Sequence, residues 1–145
     1  MIVRTCLLST LLAAAAVDAG AVTLITDSEA ALPKAPKAES RAGLTRGPSI
    51  EVLSPQPEEQ LKSPARITIK FVPHGGGQIA PDSVKLVYMS NPRVDLTERI
   101  KTYIKGDSLT IPDAEMPAGT HQLMLQVKDN EGRAGKEYVT LKVVK

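Results

Sequence analysis

The chain has 145 residues, with 18 basic and 16 acidic side chains and a formal net charge of +2. It also has three Tyr, one Phe and no Trp, so it offers neither a clustered basic surface nor aromatic platforms on which bases could stack. This composition argues against nucleic-acid binding, and the length suits one small domain.

The first residues have the pattern of an export signal. Arg4 precedes an apolar run from Cys6 to Val17, and small residues at Val17 and Ala19 fit a cleavage site before Gly20. The run is too short for a membrane span, which needs about 20 apolar residues. We therefore predict a signal peptide at 1–19, a periplasmic or secreted protein, and a mature chain without cysteine.

Residues 20–48 are predicted to be a flexible segment, because the Pro-, Ala- and Lys-rich stretch 33–40 lacks apolar periodicity. Ahead of that stretch, Thr26 and Glu29 have capping-box spacing, and Pro33 would end the short helical turn that they begin. Two interpretations remain open for this segment. It is either a tethered docking peptide or a tail that follows the signal.

Residues 49–145 are predicted to form the folded domain, because apolar residues alternate there in short runs typical of half-buried strands. Pro55 and Pro57 should end the first of these strands, since proline has no amide donor for further pairing. The six predicted strands are centred on 50–52, 67–71, 84–88, 109–111, 123–127 and 139–143.

A short helix is predicted between the third and fourth strands. Over 95–104 the apolar period changes to a helical one, carried by Leu96, Ile100, Tyr103 and Ile104. Asp95 is the expected cap. The apolar stripe of this helix should pack against the open side of the core, where a further strand would otherwise lie.

The end of the chain resembles the last strands of bacterial immunoglobulin-like domains. The resemblance rests on the corner Pro117-Ala118-Gly119, the alternating runs 123–127 and 139–143, and the turn Asp129-Asn130-Glu131-Gly132. It departs from the pattern at His121, where such domains often have an aromatic residue. The resemblance implies an all-β, Greek-key immunoglobulin-like β-sandwich, used as an exported binding, adhesion or spacer module without a family-wide catalytic residue.

This topology should gather the loop 73–81, the turn 105–107 and the loop 129–135 at one end of the domain. The side chains expected to bind there are His74, Gln78, Asn130 and Arg133. The partner would be another envelope or extracellular protein. For this chain itself we predict no cofactor and no enzymatic activity. The alternative is that these loops are merely solvated turns.

A metal carrier for copper or calcium is the first alternative function. The donors that copper could use are His74, His121, Met89, Met116 and Met124. The two histidines should lie at opposite ends, because the strands that carry them run in the same direction. For calcium, residues 129–131 and Asp82 offer oxygens, but they are ordinary turn formers and calcium takes six to eight oxygens. We therefore predict no metal site.

A small serine hydrolase is the second alternative. His74-Gly75-Gly76-Gly77 matches an oxyanion-hole pattern, and Gly106-Asp107-Ser108-Leu109 matches a nucleophile block of another hydrolase family. However, neither the Asp-x-x-His that normally follows that block nor a Gly-x-Ser-x-Gly occurs in the sequence. A mobile loop and a turn into a strand explain the same glycines.

Overall fold

The computed structural model describes residues 20–39 and 46–145. The predicted signal peptide at 1–19, with its cleavage site, lies outside the described residues, as do residues 40–45 of the predicted flexible segment. No helix in the described part of the chain is long and apolar enough to cross a membrane.

The described residues are mostly β-structure, and all six predicted strands are present within a set of ten. The strands are β1 (Val22–Thr23), β2 (Ser49–Ser54), β3 (Gln60–Lys62), β4 (Ala65–Val72), β5 (Ile79–Tyr88), β6 (Val94–Asp95), β7 (Ile104–Lys105), β8 (Ser108–Glu115), β9 (Gly119–Asp129) and β10 (Ala134–Val144).

These strands form two five-stranded sheets. The first has the order β1-β8-β4-β2, with β7 paired to β8, and the second has the order β3-β10-β9-β5-β6. Most neighbours are antiparallel, but β1 runs parallel to β8 and β3 runs parallel to β10. The chain therefore changes sheet between β2 and β3, a crossing that the sequence pattern did not reveal.

One hydrophobic cluster draws its side chains from both sheets. In β4 the buried positions Ile67, Ile69 and Phe71 alternate with exposed or half-buried ones, as a strand with one buried face requires. The same period in β9 buries the odd-numbered residues from 121 to 129. The even-numbered residues from 120 to 128 therefore form the outer face of the second sheet.

The predicted helix between β5 and β8 is present but shorter than expected. It comprises α2 (Thr97–Ile100), followed by a 3-10 turn at Lys101–Tyr103 and then by β7. Leu96 occupies the N-cap position without a side-chain hydrogen bond, whereas the Asp95 carboxylate accepts a bond from the Thr97 N–H at 2.8 Å. The apolar stripe does reach the core, since Leu96 and Ile100 are fully buried.

The described part of the N-terminal segment is packed against the rest of the protein, whereas the sequence predicted a flexible segment there. Leu24 and Ile25 are buried in the core, and both backbone N–H groups donate to the Glu115 carbonyl. A helical turn, α1 (Asp27–Ala30), follows with the predicted capping box between Thr26 and Glu29. Buried leucine and isoleucine side chains fix this segment because burial of their apolar surface offsets the entropy lost on ordering.

Candidate interaction surface

The loops before β5 and after β9 lie side by side at one end of the protein, as the sequence predicted. The Gln78 N–H donates to the Asn130 side-chain oxygen at 3.0 Å, and the Asn130 N–H donates to the Gln78 carbonyl at 2.8 Å. This reciprocal pair extends the β5–β9 ladder beyond the ends of both strands. We call His74, Gln78, Asn130 and Arg133 together the end surface.

A buried carboxylate organises the turn after β9. Asp129 accepts backbone bonds from Glu131 at 3.0 Å and Arg133 at 2.9 Å on one oxygen, and the Arg133 Nε donates to the other at 2.7 Å. Burial raises the pKa of Asp129, but the bonds donated by Arg133 and Glu131 outweigh that effect, so the pKa lies below its usual value. Asp129 is therefore an anion that holds Arg133 in one position.

The Arg133 guanidinium in turn holds the glycine-rich loop. Its Nη2 donates to the His74 carbonyl at 3.1 Å and also pairs with the exposed Glu131 at 3.0 Å. A Cβ on Gly77 would lie 2.8 Å from Arg133 Nη2 and 3.0 Å from the Asp129 carboxylate. Gly77 is thus required because it lies directly against the ion pair, whereas Gly75 and Gly76 adopt positive φ angles, which favour glycine.

Two further contacts tie this end together. The Ser49 hydroxyl lies 2.6 Å from His74 Nε2, which joins the glycine-rich loop to the start of β2. The Phe71 N–H donates to the Asp107 carbonyl at 2.7 Å, which brings the turn 105–107 to the same end. All three predicted loops are therefore brought together, and Ser49, which sequence reasoning missed, joins them.

The four predicted residues have different parts in this arrangement. Arg133 bonds Asp129, the Asn130 side-chain oxygen accepts from the Gln78 N–H, and the His74 ring contacts Ser49. His74, Gln78 and Asn130 are exposed residues, whereas Arg133 is half-buried. The sequence analysis considered Asp129 as a turn former and as a possible calcium ligand. Its Asp-x-x-x-Arg spacing across a turn was the signal for its true contact, the ion pair with Arg133.

The histidine and carboxylate donors considered for copper and calcium do not form a cluster in the described residues. In the described residues, no group of three or more His, Cys, Asp or Glu side chains is placed to hold a metal ion. His74 is bonded to Arg133 beyond the end of β9, and His121 is the third residue of that strand. The eight residue steps from 121 to 129 span roughly 26 Å, so the histidines lie at opposite ends as predicted.

His121 is buried, and both of its ring nitrogens lie within hydrogen-bonding distance of a partner. Its Nε2 lies 2.8 Å from the Pro117 carbonyl, which can only accept, so Nε2 carries the proton. Its Nδ1 therefore accepts a hydrogen bond from the Tyr88 hydroxyl, at a distance of 3.1 Å. Burial lowers the pKa of His121 below its ordinary value, and the positive charge of Lys34 lowers it further against the opposing bond to Pro117.

The two residues of the hydrolase alternative, His74 and Ser108, bond to different partners. The Ser108 hydroxyl donates to the Lys105 carbonyl at 3.1 Å, across the tight turn that joins β7 to β8. Gly106 has a φ of 60° there, as such two-residue turns need. The imidazole of His74 contacts Ser49 and not Ser108.

No protein-family model matches the chain, and no curated protein matches its sequence.

Proposed function

We propose that this protein is an exported, non-enzymatic binding module of the bacterial cell envelope, built as a Greek-key immunoglobulin-like β-sandwich. The sheet orders support the topology, because β2 lies in the first sheet, whereas β3 lies in the second sheet and runs parallel to the final strand, β10. The bond from His121 to a carbonyl four residues upstream supports it as well, since immunoglobulin-like domains commonly have such a corner.

One observation carries the proposed binding role. Separate loops at one end are fixed to each other by the Asp129–Arg133 ion pair and by the Gln78–Asn130 bonds, while His74 and Gln78 remain exposed. A surface that is rigid before binding loses less conformational entropy when a partner docks. The partner is another protein of the periplasm or of the cell exterior.

The test is site-specific photo-crosslinking in envelope extract. A photoreactive residue at Gln78 should capture one defined protein, and the same residue at Arg93, an exposed site near the other end of β5, should not. His74→Ala should weaken the capture at Gln78, and this variant leaves the Asp129–Arg133 pair intact. Equal capture at both positions, or capture that His74→Ala leaves unchanged, would overturn the proposal.

A further inference from the structure

A second candidate site lies at the other end of the second sheet, away from the end surface. It is a cleft of about 370 Å³ between the outer face of β9 and β10 and the residues 33–38, which we call the N-terminal strap. This volume is within the range of small-molecule sites. The site is independent of the proposed protein-binding function, because none of the end-surface residues lines it.

The floor of the cleft consists of four polar side chains, two from β9 and two from β10. Thr140 lies opposite Gln122, and Lys142 lies opposite Thr120, so all four project from the same face of the paired strands. The threonine hydroxyls can both donate and accept hydrogen bonds. Ala35 adds half-buried apolar surface beside them, and the almost fully buried Met89 also lines the cleft. Such a floor suits a ligand that has hydroxyl groups on one side and C–H groups on the other.

The strap is held in place by backbone contacts, so the cleft is formed without a ligand. The Ala35 N–H donates to the Met89 carbonyl at 3.2 Å, and the Asn91 N–H donates to the Pro33 carbonyl at 2.7 Å. The Gln122 amide bonds both backbone groups of Ala38, donating at 2.6 Å and accepting at 3.2 Å. Gln122 thus positions the strap, and the threonines and lysines are left to face the cleft.

The rim of the cleft carries an excess of positive charge. Lys34, Lys37 and Lys142 line it, against the single carboxylate of Glu58. Lys142 pairs with Glu58, and Lys37 pairs with Glu39 at 3.5 Å, but these carboxylates are largely exposed and such pairs are weak. Lys34 has no ion pair among the described residues.

From these contacts we propose that the cleft binds a hydroxylated anion of monosaccharide size, a pyranose ring that carries a carboxylate or a phosphate group. Lys34 and Lys142 would hold the anionic group, Thr120 and Thr140 would bond ring hydroxyls, and the ring's C–H face would pack on Ala35. The shared chemistry of sugar acids and sugar phosphates defines the ligand, and the experiment separates the two.

The test uses the two histidines of the chain as reporters in NMR titrations of the purified protein. D-glucuronate and glucose 6-phosphate are the probes, and glucose and inorganic phosphate are the controls. A bound anion near Lys34 should shift the ring signals of His121 and the amide signals of Thr120 and Thr140 in a saturable way. His74, at the other end of the protein, should not respond.

Substitutions then assign the effect to the cleft. Lys34→Gln should weaken binding of the better probe about tenfold, and Thr140→Val should weaken it roughly fivefold. Lys128→Gln is the matched control, because Lys128 is an exposed lysine on the outer face of β9 but at the end of that strand away from the cleft. It should leave the affinity unchanged, and all three positions are exposed enough to preserve the fold.

Three results would overturn the proposal. The first is the absence of a saturable shift at His121 with both anionic sugars. The second is binding of glucose or inorganic phosphate as tight as that of the sugar anions. The third is an affinity that Lys34→Gln leaves unchanged. Binding of glucuronate alone, or of glucose 6-phosphate alone, would support the proposal and identify the anionic group.

Discussion

Single residues at the two ends of the protein decide how its polar groups are satisfied. At one end, a buried carboxylate is balanced by Arg133 and two backbone N–H groups. At the other end, the neutral imidazole of His121 joins Tyr88 to Pro117. Removing the partner of either group should lower the free energy of unfolding of the protein, because a buried polar group without a partner is destabilising. Both sites therefore give sharp mutational predictions.

The stability of the protein should depend on pH through His121. Its pKa is lowered in the folded state, so the unfolded chain, with a histidine pKa near 6.5, binds the proton more readily. The free energy of unfolding should therefore fall as pH drops below about 6.5. Urea unfolding between about pH 5 and pH 8 measures this dependence. His121→Gln should flatten it, and His74→Gln, the control, should retain it.

Gly77 should tolerate no side chain. Gly77→Ala would place a Cβ 2.8 Å from Arg133 Nη2, and we expect a loss of about 1–3 kcal/mol of folding free energy as the ion pair shifts. Gly76→Asn is the control, since its Cβ would meet open space and asparagine tolerates a positive φ. Equal losses in the two variants, measured by chemical unfolding, would contradict the close packing of Gly77 on Arg133.

At the scale of elements, the N-terminal segment is joined to α2 by a two-pronged ion pair. Arg99 donates to the two Glu29 oxygens at 2.8 and 2.7 Å and to the Leu24 carbonyl at 2.9 Å. Hydrogen bonding from Arg99 is the main reason that the pKa of Glu29 is lowered to about 2. This pair, with the burial of Leu24 and Ile25, makes the segment part of the folded body.

Removing the Glu29 charge should loosen the segment without unfolding the sheets. Glu29→Gln should cost about 1–3 kcal/mol, and hydrogen exchange at the Leu24 and Ile25 amides should accelerate while β9 and β10 stay protected. Glu98→Gln is the control, because Glu98 forms only an exposed pair with Lys101. Uniform acceleration across the protein would contradict local opening.

Acid should have the same effect as that substitution. The folded-state pKa of Glu29, about 2, lies below its unfolded value near 4.3. Its stabilisation is therefore complete above about pH 4.3 and is lost as the pH falls toward 2. Exchange at Leu24 should rise over this interval in the native protein and stay constant in Glu29→Gln, after correction for the intrinsic exchange rate.

At the scale of the whole molecule, the two sheets come together where β10 begins. The backbones of residues 47–48 and 134–135 touch there, and a Cβ on Gly135 would lie 1.9 Å from the Pro48 carbonyl oxygen. A Cβ on Gly47 would similarly lie 2.3 Å from the Ala134 carbonyl oxygen. Since both contacts are to backbone, neither can be relieved by turning a side chain.

Gly135→Ala should therefore destabilise the protein more than Gly77→Ala. We expect a loss of about 3 kcal/mol or more, because the two backbone segments must separate to admit the methyl group. Ala134→Ser, at the exposed neighbouring position, should change the stability by less than about 0.5 kcal/mol. A loss for Gly135→Ala no larger than that for Gly77→Ala would contradict this contact between the sheets.

The sequence by itself determined the local features of this protein. The period of two placed the six main strands, and the Thr26–Glu29 spacing identified the capping box. The turn residues around 129–132 and the positions of the loops also predicted that the residues of the end surface would lie together. These features depend on neighbours in the chain or on the register of adjacent strands, so local patterns carry them.

Only the tertiary structure decided how distant segments are used. Leu24 and Ile25 are held by the Glu115 carbonyl, and Leu24 also by Arg99, while Gly77 lies against the ion pair that follows β9. The lysine-lined cleft needs the strap, β9 and β10 together. Such contacts join residues far apart in the chain, and their energy depends on burial and partners that a one-dimensional pattern does not contain.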